Sequence, residues 1–228
     1  MKKTINKTQI VKRTMLTVTD LHVREAGEGE QSRTIVGYAI LFDTPSAPLW
    51  QDEDGEAREV IAPEAITKDV LDGCDIKMTM FHDRQLILAR SRNGQGTLSY
   101  TVDEKGVAFE FEAPNTVDGD KALELVKRGD ISGCSFMFTT RYYDDACVER
   151  SAKTVNGYTT IIYRVKAVTG VYDFTLAADP AYPDTSVEAR EFVTELKKDG
   201  EPEQTVQDEK YREQVSEMRQ AASRVISF

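Results

Sequence analysis

Histidine is nearly absent from this chain: His22 and His82 are the only two among 228 residues. A proton shuttle built on imidazole therefore has few donors, and no second His or thiolate cluster stands near either one to complete a metal site. Cysteine is also scarce. Cys74, Cys134 and Cys147 make an odd number without CxxC spacing, which argues against a disulfide framework and predicts two core thiols and one in a loop of a reduced protein. Positive charge is in deficit, with 29 Lys and Arg against 39 Asp and Glu and a net charge of −10. That balance argues against a nucleic-acid binder relying on phosphate neutralisation. No run approaches the roughly 18 apolar residues of a membrane span. The N-terminal MKKTINKTQIVKRT is basic but lacks the apolar core of a secretory signal, so a cytoplasm-like compartment is expected. Fourteen Gly and seven Pro are ordinary and exclude a collagenous or wholly disordered chain.

What is present is alternation. TMLTVTDLHV and RTIVGYAILF read as strands, and DIKMTMF sets Ile76, Met78 and Met80 against Lys77, Thr79 and Phe81. GTLSYTVDEKGVAFEFEAP reads as a hairpin turning at Asp103–Gly106. ISGCSFMFTTRYY, YTTIIYRVKAV and GVYDFTLA supply further strands, with Asn156-Gly157 as a hairpin turn. Two short helices are expected. PEAITKDVLDG opens on Pro63 and stops at Gly73, while DGDKALELVKRGD places Ala122, Leu123 and Val126 on one face and stops at Gly129. DTPSAPLWQDEDGEA, rich in acids and proline, reads as a mobile surface loop anchored by Trp50. From Val187 the pattern changes to two charged helical stretches, either a solvated amphipathic pair or an interaction tail. The fold class predicted is β-rich α+β: a small, mostly antiparallel β-barrel with inserted helices over residues 1–186, and a C-terminal helical extension over residues 187–228.

Three residues have the chemistry of a nucleophilic site. His82 ends an apolar strand, where a scaffold presents reactive groups rigidly, although a single histidine there also reads as structural. Ser135 lies in GCSFMF, and alternation puts Gly133, Ser135 and Met137 on one face against Cys134, Phe136 and Phe138. A strand serine bonded to its neighbours fits the same pattern. Cys134 is a rival nucleophile that should point into the phenylalanine face, and Ser132 is a rival on the opposite parity. Asp173 sits in a strand between Tyr172 and Phe174, a costly place for a carboxylate unless it faces outward or has a partner such as an imidazole N–H or an arginine. No cofactor is called for.

GYAILFDT, EVIAPEAI, MTMFHDR, KRGDISGCSFMF and YDFTLAADPAYPDT, in that order, resemble the tailed-phage prohead (capsid maturation) proteases, whose core is similar to the herpesvirus assemblins. The resemblance spans Arg33 to Thr185. It implies His82 as general base, Ser135 as nucleophile and Asp173 as the orienting acid of a serine endopeptidase. Asp173 stands where the family usually has Glu, Thr175 where it has Ser, and the glycine expected near position 89 is missing. A backbone N–H near Ser135 or a side chain such as Arg164 would supply the oxyanion donors. The implied partners are a major capsid protein precursor or scaffold protein and the protease itself by autocleavage, in an oligomer inside the procapsid in the host cytoplasm, with no nucleic acid or membrane. The tail would dock the enzyme or be removed. A non-enzymatic assembly protein with a residual protease fold is the alternative.

Overall fold

A computed structural model of the chain describes residues 11–18, 20–25, 27 and 32–178, the first of these segments by its backbone. The tail at 187–228 and its boundary at 186 lie outside the described residues. Strands are numbered in chain order. The largest sheet runs β1 (Val11–Val18), β11 (Gly133–Thr140), β14 (Gly170–Ala177), β6 (Asp75–Met80), β7 (Asp83–Arg92) and β8 (Gln95–Gly96). A second runs β2 (His22–Val23), β3 (Thr34–Leu41), β10 (Gly106–Glu112) and β9 (Leu98–Val102). The third runs β12 (Val148–Val155), β13 (Tyr158–Val165), β5 (Gly55–Ile61) and β4 (Trp50–Gln51).

The β-rich class holds, but the expected barrel does not. Among the described residues the strands divide into three separate ladders, and the largest is an open sheet that tapers to the two-residue β8. Closing a barrel needs an unbroken circuit of paired strands. Here that circuit is broken: beyond β3 the second sheet reaches the third through isolated bridges, Phe42 with Ile61 and Pro45 with Val60, and the first and second sheets pack through side chains. Phe109 of β10 lies against Phe174 of β14 with ring centroids 6.5 Å apart. Pairing is mostly antiparallel, as expected, with two parallel exceptions, β13 on β5 and β14 on β6.

Alternation along the central strands sorts their side chains. In register across β11, β14 and β6, Phe136, Phe174 and Met78 form one row, and Cys134, Leu176 and Met80 form the next. All six are completely buried in a core shared by the three sheets. The helix α2 (Val117–Arg128) closes this core with Ala122, Leu123 and Val126, as its periodicity predicts. Thr116, ahead of the expected start, caps it by accepting from the Gly119 N–H. Gly129 ends it at φ 77, a left-handed position where a Cβ is costly.

Two local expectations need correction. The helix expected from Pro63 to Gly73 is split: a 3₁₀ turn, Pro63–Ala65, gives way to extended backbone at Ile66, and Thr67 then caps the short α1 (Lys68–Asp72). A threonine hydroxyl competes well as a cap and poorly inside a helix, so the element restarts there. The acidic loop is not loose over its second half. Trp50 and Gln51 pair with β5 across a turn in which Asp52 Oδ1 accepts from the Asp54 and Gly55 N–H groups, and Glu59 is fully buried within β5. Trp50 does anchor the segment, packed against the core.

Replacing Phe136 with alanine should cost about 3–5 kcal/mol, a large fraction of a typical domain's stability. Urea unfolding of the full chain should show this as a lower midpoint with little change in slope.

Candidate active site

The opposite face of the central sheet is polar where a sheet usually turns to solvent, yet it is buried. Ser135, Thr175 and Thr79 are cross-strand neighbours on β11, β14 and β6, with 3%, 0% and 0% exposure. One step along the ladders, Met137, Asp173 and Lys77 form the adjoining row, and Asp173 is 5% exposed. The Lys77 ammonium is engaged by Asp75 at 3.3 Å. Buried polar groups on this face need partners, and the tip of the β6–β7 hairpin supplies them.

That tip is the two-residue turn Phe81–His82, closed by the pairing of Met80 with Asp83. Both residues have positive φ, 55° and 57°. Two-residue turns of this hand ordinarily use Asn-Gly because a Cβ is unfavourable at positive φ. The same protein follows that preference elsewhere. Asn93–Gly94 turns β7 into β8 at φ 52° and 72°, and Asn156–Gly157 turns β12 into β13 at φ 53° and 85°. At the first turn two bulky residues occupy the strained positions, at about 1–2 kcal/mol each. Hydrogen bonds to β14 hold them: the Phe81 N–H donates to the Leu176 carbonyl at 3.1 Å, and the His82 N–H to Thr175 Oγ1 at 2.9 Å.

The turn carries the His82 ring over the polar rows. Nδ1 lies 3.1 and 3.2 Å from the two carboxylate oxygens of Asp173, and Nε2 lies 2.9 Å from Ser135 Oγ. An ionised carboxylate only accepts, so Nδ1 bears the proton and donates it to Asp173. Nε2 is then the acceptor for the Ser135 hydroxyl. Hydroxyl, imidazole and carboxylate thus stand in one hydrogen-bonded line, from residues separated by 53 and 91 positions. In this arrangement the hydroxyl can lose its proton to Nε2 as it attacks a carbonyl, while the carboxylate stabilises the resulting imidazolium.

All three sequence candidates therefore meet. The rivals do not join them. Cys134 is fully buried on the phenylalanine face, where loss of solvation pushes its thiol far above the ordinary range and disfavours the thiolate nucleophile. Ser132 precedes β11 and is exposed. His22 is exposed in the second sheet, with Nδ1 3.0 Å from the Asp20 carbonyl oxygen. Arg164 is on β13 in the third sheet and pairs with Asp43 at 2.6 Å. Among the described residues no group of three or more His, Cys, Asp or Glu could hold a metal ion, and no helix is long and apolar enough to cross a membrane.

Sequence reasoning missed the roles of Thr79 and of the turn itself. The strand expected over Asp75–Phe81, ending at His82, stops at Met80, because Phe81 and His82 form the turn at positive φ. No local signal marked the threonines: Thr79 and Thr175 stand 96 positions apart and meet through the parallel pairing of β6 with β14.

A strand scaffold holding a hydrogen-bonded Ser, His and Asp is the arrangement of a serine hydrolase. The chain belongs to the caudovirus prohead serine protease family, which matches it over residues 19–199. No curated protein matches it. Among solved structures it is similar to the bacteriophage T4 capsid assembly protease gp21, with 12% identity, a TM-score of 0.32, and coverage of 74% of this chain and 98% of that one.

Phe81 is 48% exposed, so its side chain contributes little burial to offset its backbone strain. Phe81→Asn should raise stability by about 1 kcal/mol, since asparagine tolerates positive φ, and thermal unfolding would register the gain.

Proposed function

We propose that this protein is a serine endopeptidase that cleaves capsid or scaffold precursor proteins, and itself, during maturation of a phage procapsid. The observation that carries the site assignment is the continuous hydrogen-bonded line from Ser135 Oγ through the His82 ring to Asp173. Membership of the prohead serine protease family supports the substrate class.

In the proposed reaction Ser135 Oγ attacks the scissile carbonyl carbon as His82 Nε2 takes its proton. The tetrahedral intermediate collapses when that proton passes from Nε2 to the leaving amine, which departs as the C–N bond breaks. Water then attacks the acyl ester, with Nε2 again acting as base, and the protonated ring returns the proton to Oγ. Asp173 keeps Nδ1 protonated throughout and stabilises the cationic ring. Residues 187–228 would serve as a docking or self-removed segment that brings an oligomeric enzyme into the shell. The reaction would then take place inside the procapsid, in the host cytoplasm.

Co-expression of the full chain with its capsid precursor tests this reading. Wild type should shorten the precursor, and Ser135→Ala should leave it intact in assembled shells, with cleavage reduced by about 10⁴-fold or more. Normal processing by Ser135→Ala would instead favour a non-enzymatic assembly protein with a residual protease fold. Iodoacetamide separates the serine from the cysteine reading. Because Cys134 is buried and its thiol is held protonated, native enzyme treated with the reagent should keep its activity, whereas a Cys134 peptidase would lose it.

A further inference from the structure

Resting on that reading of the site, we infer that Thr175 is a positioning residue of the reaction: its hydroxyl clamps the hairpin tip that carries His82, and Thr79 orients that hydroxyl. Thr175 bonds the His82 main chain and stands outside the hydrogen-bonded line of Ser135, the imidazole and Asp173. Its Oγ1 receives two hydrogen bonds at 2.9 Å, one from the His82 backbone N–H and one from the Thr79 hydroxyl. Both threonines are completely buried. A hydroxyl oxygen has two acceptor lone pairs, so this pair of donors uses its accepting capacity in full.

The clamp answers a specific need. The other two hairpin turns at positive φ are built from Asn-Gly and adopt their backbone readily. Phe81 and His82 do not share that preference, and left to itself the turn would relax toward negative φ and carry the ring away from β11. A strained backbone persists only where its surroundings over-determine it. The Phe81 N–H bond to Leu176 fixes one end of the turn through the main chain, which no substitution at 175 alters. The bond from the His82 N–H is the one that depends on a side chain, and it acts at the residue whose ring must reach both Ser135 and Asp173. The register adds a second constraint. Thr175 lies between Ser135 and Thr79 across the ladders, so one residue aligns the base with the strand bearing the nucleophile.

The test compares wild type, Thr175→Val, Thr175→Ser, Thr79→Val and Ser135→Ala as full chains. Steady-state cleavage of the purified capsid precursor and the labelling rate with a fluorophosphonate probe are measured for each. Valine keeps the shape of threonine and removes the acceptor, so kcat and the labelling rate should fall about 10- to 100-fold, as misplacement of a catalytic group by about 1 Å does. KM should stay within about two-fold, because ground-state binding is untouched. Thr175→Ser retains the oxygen and should recover most of the rate, which a packing role for the threonine methyl would not allow. If Thr175→Val does not fold, Thr79→Val carries the test: it frees the Thr175 hydroxyl to rotate, and kcat should fall several-fold with KM unchanged.

Three results would overturn the inference: wild-type kcat in Thr175→Val, or in Thr79→Val should the former not fold; a Thr175→Ser variant as slow as the valine; or a loss confined to KM. The control variant separates the two levels of the argument. An inert Ser135→Ala beside a fully active Thr175→Val removes the clamp and leaves the serine peptidase reading standing. An active Ser135→Ala removes that reading and the clamp with it.

Discussion

Everything at the site depends on a turn that its own sequence does not favour. Phe81 and His82 both hold positive φ without glycine or asparagine, and they do so because β14 offers a carbonyl and a hydroxyl to their N–H groups. Each such bond contributes on the order of 1 kcal/mol net, comparable with the strain at one of the two residues. The consequence is geometric. The imidazole is fixed over a buried polar row, with Asp173 on one nitrogen and Ser135 on the other.

A second constraint is the two-sidedness of the strands. β11 carries Cys134, Phe136 and Phe138 into the core, and Ser135 on the face where His82 lies. Adjacent residues with rival nucleophiles are thereby given opposite surroundings. The thiol is stripped of solvent and kept protonated, and the hydroxyl receives a base. Because alternation has a period of two, no rotation of the strand can exchange these roles without placing two phenylalanines on the polar face.

The third is the parallel pairing of β14 with β6, which sets Asp173 and Thr175 beside Lys77 and Thr79. A parallel pair cannot be made by a tight turn and needs a long crossover. Here most of the described chain intervenes, including the second-sheet hairpin, α2 and the third-sheet strands β12 and β13. The extended sheet and the separate ladders arise from the same connections, since strands sent to different layers cannot close one barrel.

By itself the amino-acid sequence determined what is local. Period-two alternation separated Cys134 from Ser135, the apolar stripe and Gly129 marked α2, and Asn156-Gly157 marked its hairpin, since each is a property of residues a few positions apart. Its scarcity of histidine and the ordered segments around His82, Ser135 and Asp173 also named the three side chains that meet. Tertiary structure alone decided that they do meet, that three open sheets replace a barrel, that Phe81 and His82 form a strained turn, and that Thr175 receives it. The reason is physical: strand pairing and positive φ at bulky residues are decided by contacts across some ninety positions, and a local pattern holds no record of which distant edge will supply the partner.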